Sequence, residues 1–106
     1  MLIWTKPAKE DVMEFINTAR FGSLNTIKKY FLKLINYIEI LNQMPYLGKQ
    51  LHLFSNDLHI RQIVFKSHKI IYIIINSNIY ILTVIHSKMD NKTIISKIID
   101  SLENSL

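Results

Sequence analysis

Residues 58–86 read LHIRQIVFKSHKIIYIIINSNIYILTVIH, and this stretch decides the fold. Residues 58–65 alternate between an apolar set and a more polar set, which is the period of a strand. Residues 69–76 are almost continuously apolar, as in a central strand that is buried on both faces. The Asn-Ser-Asn turn at 76–78 and the Ile-, Val-, Thr- and Tyr-rich run at 79–85 predict a third strand. Because the connections are short, we expect an antiparallel meander.

Two amphipathic helices are predicted upstream of this meander. The first opens at the Lys-Pro pair of residues 6–7, since proline is tolerated in a first helical turn, and its apolar residues recur at helical spacing over 8–19. The second has apolar residues at three- and four-residue steps over 24–41. The Phe-Gly-Ser connection at 21–23 predicts an antiparallel helical hairpin, with the glycine ending one helix and the serine capping the next.

The two ends of the chain complete the predicted order of elements. Residues 2–5 form a candidate strand, and residues 44–56 lose all periodicity and read as a loop. A last helix with one apolar stripe is capped by Asp90 or Asn91. The prediction is a single α+β domain over 1–106, in the order β-α-α-β-β-β-α, with the helical hairpin laid across an antiparallel sheet.

Composition narrows the class of protein. The 106 residues include 13 Lys+Arg, 8 Asp+Glu and no cysteine, for a net charge of +5, which excludes a multidomain enzyme, a disulfide scaffold and an acidic tail. The longest apolar run, residues 70–75, is far shorter than the roughly 20 residues of a spanning helix. The amino terminus has no basic stretch before an apolar run of signal-peptide length. We therefore expect a cytoplasmic protein.

The positive charge is concentrated in one part of the chain. Residues 40–89 hold five basic side chains and one acidic side chain, for a net charge of +4. Such an excess fits a binding surface for a polyanion or for an acidic protein. The alternative is an ordinary lysine-rich surface in a chain rich in Ile, Asn and Lys.

The ordered set of motifs resembles the RelE/ParE superfamily of toxins from bacterial type II toxin–antitoxin modules. The matching pieces run through most of the chain: Trp4-Thr5 followed by Ala8 and Asp11, LNQMPYLG at 41–48, Arg61 in the second strand, HKIIY at 68–72 and ILTVIHSKMD at 81–90. The chain departs from the family's pattern at two places. Lys88 stands where arginine is commoner, and His68 stands where tyrosine is commoner.

The resemblance implies a partner and a choice of targets. The partner is a cognate antitoxin, usually acidic where it contacts the toxin, which neutralises it by wrapping around the sheet and helices. RelE-type members cleave mRNA within the ribosome, whereas ParE-type members poison DNA gyrase and lack the full set of nuclease residues. A third possibility is an inactive relative that only binds its antitoxin.

If the protein is a nuclease, its candidate catalytic residues are Arg61, His86 and Lys88. Metal-independent RNA cleavage needs a base for the 2′-hydroxyl, an acid for the leaving oxygen and cations for the transition state. Strand alternation predicts that His86 shares a face with Tyr80, Leu82 and Val84, where an imidazole could act as the acid or the base. The alternative for Arg61 is an ordinary surface or salt-bridging side chain. The alternative for His86 is a histidine that fixes the exit of the strand.

Three further lysines are candidate contacts with an RNA or protein target: Lys49, Lys66 and Lys69. A solvated hairpin end is the alternative for the last two. Asp57 is the only carboxylate between residues 44 and 89, so no glutamate general base is evident there. This absence favours the ParE type. No cysteine or clustered carboxylate accompanies the histidines, so we expect no metal or other cofactor.

Overall fold

The computed structural model of the chain describes residues 1–18, 23–52 and 58–106. The elements are β1 (Leu2–Trp4), α1 (Lys6–Thr18), α2 (Leu24–Glu39), a 3-10 turn (Ile40–Asn42), β2 (Lys49–Gln50), β3 (Ile60–Phe65), β4 (His68–Ile75), β5 (Asn78–His86) and α3 (Asn91–Ser105). This order confirms the predicted α+β class and adds the two-residue strand β2 within the expected loop. The predicted helix stop at Gly22 lies outside the described residues.

The five strands form one mixed sheet in the order β1-β5-β4-β3-β2. The meander of β3, β4 and β5 is antiparallel, as predicted. Strand β1, however, pairs in parallel with β5, with Leu2 opposite Ile79 and Trp4 opposite Ile81. The expectation of a purely antiparallel sheet is therefore corrected at this edge, because turn lengths constrain only strands that are adjacent in sequence.

Both faces of the sheet are covered, as the apolar run of β4 required. Side chains such as Ile70 and Tyr72 pack with α1 and α2 on one face. Side chains such as Ile71 and Ile73 pack with α3 on the other. All four are at most 2% exposed. Within the described ranges, no helix has the length and apolar character needed to cross a membrane.

A β-bulge in β5 changes which side chains share a face. Ile71 pairs with Thr83 whereas Tyr72 pairs with Ile81, so Leu82 is an extra residue in β5. Beyond the bulge the alternation is inverted, because the side-chain period of a strand is two. His86 consequently lies against His68 on the face of the helical hairpin. The expectation that it shares a face with Tyr80 is wrong, since Tyr80 packs with the α3 cluster.

Side chains from α1 and its preceding residue satisfy the backbone around the bulge. The Thr5 hydroxyl donates to the Ile81 carbonyl at 2.7 Å. One oxygen of Asp11 accepts from the Thr83 hydroxyl at 2.5 Å and from the Val84 amide at 3.1 Å. Its other oxygen accepts from Lys97 of α3 at 2.9 Å. A buried carboxylate therefore connects α1, β5 and α3.

Candidate functional site

The bend at residues 45–48 is held by a side chain from the centre of the sheet. The Tyr72 hydroxyl donates to the Pro45 carbonyl at 2.8 Å and accepts from the Gly48 amide at 2.9 Å. Burial raises the pKa of Tyr72, so its hydroxyl keeps the proton that it donates. Two backbone groups of the bend are thus paired by one fully buried side chain.

The bend requires a glycine at position 48 because atoms of β3 and β4 lie very close to its Cα atom. A Cβ atom at Gly48 would lie 2.6 Å from the Tyr72 hydroxyl oxygen and 2.7 Å from the Gln62 carbonyl oxygen. No other residue fits without moving the bend away from β3 and β4. This requirement gives a physical reason for the proline–glycine spacing that the sequence displays at 45–48.

Arg61, a predicted catalytic residue, is bonded to the same bend. Its Nη1 donates to the Gly48 carbonyl at 2.7 Å and to the Tyr46 carbonyl at 3.5 Å. The guanidinium carbon lies 5.0 Å from the centre of the Tyr46 ring, a cation–π geometry. The Nε atom is buried, without a hydrogen-bond partner in the described part of the chain. These contacts give Arg61 a structural role.

The bend displays an apolar surface that its supports hold in place. Tyr46 is 63% exposed and Leu47 41%, and Met44 beside them is 53% exposed. Lys49, a predicted binding residue, follows on the edge strand β2 and is also exposed. We call these four residues the bend surface.

A histidine pair occupies the opposite end of the strands. The rings of His68 and His86 are 6.0 Å apart, and the rings of Phe15 and His68 are 4.7 Å apart at a steep angle of 64°. The Nδ1 atom of His68 lies 2.5 Å from the Tyr30 hydroxyl. Burial, and secondarily the charge of His86, lowers the pKa of His68 below its usual value of 6.5. His68 is therefore neutral at pH 7, and its Nδ1 atom and the Tyr30 hydroxyl share a hydrogen bond.

His86 and Lys88 are neighbours at the end of β5. The Lys88 amide donates to Nδ1 of His86 at 3.1 Å, and both side chains are exposed. This bond gives the histidine the strand-exit role that was one of its two expected roles. A cavity of about 200 Å³ nearby is lined by both acidic and basic side chains, namely Asp11, Glu14, Phe15, Thr18, Val84, Met89 and Lys97.

The structure brings two of the three predicted catalytic residues together and leaves the third apart. His86 pairs with His68, and His68 pairs with Phe65, which is four residues along β3 from Arg61. At about 3.3 Å per residue, Arg61 is displaced by about 13 Å along the strands from His86. Their assignment as a catalytic set remains a prediction.

The three predicted binding lysines also lie at separate places. Lys49 belongs to the bend surface, and Lys66 forms the turn between β3 and β4. Lys69 pairs with Ile85, whose side chain packs on α3, so it lies on the opposite face of the sheet from the helical hairpin. Among the described residues, no three His, Asp or Glu side chains are grouped to hold a metal ion.

Tyr30 and His68 were not identified as site residues from the sequence. Their pairing joins residues 38 positions apart, and no short-range pattern links the two. The one available signal was that His68 stands where the resembled superfamily more often has tyrosine.

The chain is similar to a known family of proteins over most of its length. A family model described as the ParE toxin of type II toxin-antitoxin system, parDE, matches residues 2–91. The matched segment runs from β1 to the first residue of α3 and includes the bend, the histidine pair and Lys88. No curated protein matches the chain.

Proposed function

The chain belongs to the ParE toxin family of type II toxin–antitoxin systems, and on that basis we propose that it arrests bacterial growth in the cytoplasm by inhibiting DNA gyrase. Membership in the family makes the protein a toxin and implies a cognate antitoxin as its partner. What we propose beyond family membership is that the target of the toxin is DNA gyrase and not mRNA.

The observation that carries this proposal is the engagement of Arg61. A nuclease would need its permanently charged side chain at the scissile phosphate. Here the Nη1 atom donates to the Gly48 carbonyl and the guanidinium contacts the Tyr46 ring, so the side chain is anchored to the protein's own bend. Moving the guanidinium away from the bend to an RNA phosphate would break these contacts.

The bend surface is suited to binding a protein. Tyrosine is enriched among the residues that contribute most to protein–protein affinity, and methionine adapts to irregular apolar partners. Because Tyr72, Arg61 and Gly48 already hold the bend, binding would cost little ordering entropy. Lys49 adds a positive charge at the rim of this surface. We propose that the bend surface contacts gyrase.

One observation favours mRNA cleavage as a second candidate. His86 lies beside His68 at the end of the strands, and Lys88 follows two residues later, so one short segment supplies an imidazole and a lysine. A nuclease using them would rely on His86 for proton transfer, because His68 is paired with Tyr30.

Two measurements separate the candidates. Purified protein added to DNA gyrase should stop ATP-dependent supercoiling, and induced cells should show double-strand breaks and an SOS response. New codon-phased mRNA ends after induction, with unimpaired supercoiling, would overturn the gyrase proposal. Co-expression of an adjacent small acidic protein should restore growth in either case, which tests the toxin assignment separately.

A further inference from the structure

A second, strongly basic site lies between α2 and the turn that joins β3 to β4. It is an open cavity of about 260 Å³, lined by Thr26, Lys29, Tyr30, Lys33 and Lys66. Three of the five lining residues are cationic and none is a carboxylate. We call it the lysine pocket.

The two lysines from α2 are held close together by the helix. Lys29 and Lys33 are four residues apart and therefore project from the same side, one turn from each other. Like charges at this spacing destabilise a helix. Neither pairs with a carboxylate within the described ranges. Two unneutralised ammonium groups on one wall of a cavity favour an anionic occupant.

Lys66 is directed at the same cavity from the sheet. Its φ of 52° lies in the left-handed region, which is uncommon for a residue with a side chain. Its Nζ lies 5.6 Å from the ring centres of both Tyr30 and Phe65. These cation–π contacts orient the ammonium group towards α2.

Tyr30 gives the pocket an aromatic wall. Its hydroxyl is 2.5 Å from Nδ1 of His68 and is hydrogen-bonded to that imidazole. The other donors that line the pocket are the three ammonium groups and the Thr26 hydroxyl. An aromatic ring beside clustered lysines is also the arrangement that proteins use to bind nucleic-acid strands.

We propose that the lysine pocket binds the backbone phosphates of a nucleic acid. Ammonium groups bind phosphate as point charges from several directions, whereas carboxylates are recognised best by the planar fork of arginine. Lys29, Lys33 and Lys66 approach the cavity from two elements, which suits a tetrahedral group with several oxygens. The site goes beyond gyrase inhibition and does not depend on it, because it shares no residue with the bend surface.

The test uses fluorescence anisotropy with short single-stranded DNA and RNA of the same sequence. The double variant Lys29→Gln/Lys33→Gln removes two pocket charges, and Lys28→Gln/Lys92→Gln removes two exposed charges elsewhere. We expect the pocket variant to bind at least about tenfold more weakly and to lower the slope of log affinity against log salt by about 2. The control variant should stay within about threefold of the wild type. Comparing the two polymers identifies which one the pocket prefers.

Three results would overturn the proposal. They are no binding by the wild type at about 50 mM salt, an equal loss in the two double variants, or displacement of the oligonucleotide by polyglutamate as readily as by unlabelled DNA. The last result would identify an acidic protein as the occupant. If the double variant does not fold, as judged by circular dichroism, Lys66→Gln against Lys92→Gln makes the same comparison. Gyrase is absent from this assay, so its outcome is separate from that of the proposed function.

Discussion

The Tyr72 hydroxyl and the Gly48 amide are 2.9 Å apart, and the hydrogen bond between them joins the centre of the sheet to the bend that follows α2. The same hydroxyl donates to the Pro45 carbonyl, and Arg61 donates to the Gly48 carbonyl. The shape of the exposed bend is therefore set by two side chains of β3 and β4. Substitutions of these side chains inside the sheet should consequently change the shape of the bend surface.

Removing the Tyr72 hydroxyl should destabilise the protein. Tyr72→Phe leaves the Gly48 amide and the Pro45 carbonyl without their partner, and the buried donor alone costs about 1–3 kcal/mol. Urea denaturation measures the change in the free energy of unfolding. The control Tyr80→Phe, whose hydroxyl has no hydrogen-bond partner in the described ranges, should stay within about 0.5 kcal/mol of the wild type. Equal stabilities for the two variants would show that the bond contributes nothing.

Adding a methyl group at Gly48 should destabilise the folded protein. Gly48→Ala places a carbon 2.7 Å from the Gln62 carbonyl oxygen, a backbone atom that moves only if the strand moves. We expect a loss of about 1–3 kcal/mol in the free energy of unfolding, as for overpacked interiors. Leu47→Ala at the neighbouring exposed position is the control. Thermal unfolding of both variants checks the prediction, which a wild-type melting temperature for Gly48→Ala would contradict.

Removing the Asp11 carboxylate at the bulge should destabilise the protein more than removing only its ion pair with Lys97. Asp11→Ala removes the acceptor for the Val84 amide and the Thr83 hydroxyl, at a cost of about 1–3 kcal/mol for each donor left unsatisfied. Lys97→Gln removes the cation but keeps an amide that can donate to the same oxygen, and it leaves the Thr83 and Val84 donors paired, so it should cost less than Asp11→Ala. Glu10→Gln in the exposed pair with Lys6 is the control and should have almost no effect. Denaturant titration orders the three variants, and a larger loss for Lys97→Gln would refute this account.

His68 should make stability depend on pH. Because its pKa is lowered in the folded protein, the unfolded chain takes up a proton below about pH 6.5 that the folded chain does not. The free energy of unfolding should therefore fall as the pH falls from that value to the lowered pKa, by less than about 1.4 kcal/mol per pH unit. His68→Gln should remove this component, whereas Tyr30→Phe, which leaves the imidazole buried, should keep most of it. Denaturation between about pH 7.5 and 5.5 covers the start of the transition. The same pH profile for the wild type and His68→Gln would be the contrary result.

Truncating the exposed tyrosine of the bend should weaken gyrase inhibition. Tyr46→Ala removes the largest apolar contact of the bend surface, and we expect at least about tenfold more protein to be needed for half-inhibition of supercoiling. Leu32→Ala, at a position of α2 with similar exposure, is the matched control. Equal inhibition by both variants would place the gyrase contact elsewhere.

Local patterns in the sequence predicted the elements well. The alternation and the short turns of residues 58–86 indicated the meander, and the structure confirms it. The proposed caps are confirmed as well, since Ser23 accepts from the Thr26 amide and Asp90 accepts from the Thr93 amide. Periodicity and caps depend on residues a few positions apart, so one sequence is enough to find them.

The candidate sites depended on long-range packing. The bulge at Leu82 turned His86 to the other face of the sheet, and the bend engaged Arg61. The lysine pocket joins α2 to a turn more than 30 residues further along the chain. A residue type and its spacing do not reveal such partners, because they are chosen by which faces meet on folding.

By itself, then, the sequence determined the class, the order of elements and the resemblance to a toxin family that the family match confirms. Only the tertiary structure decided that β1 lies beside β5, that Arg61 supports the bend and that three lysines share one cavity. The physical reason is the distance along the chain over which the two kinds of interaction act. Secondary structure follows from backbone preference and local periodicity, whereas a site is made by side chains that meet only after the chain has closed its loops.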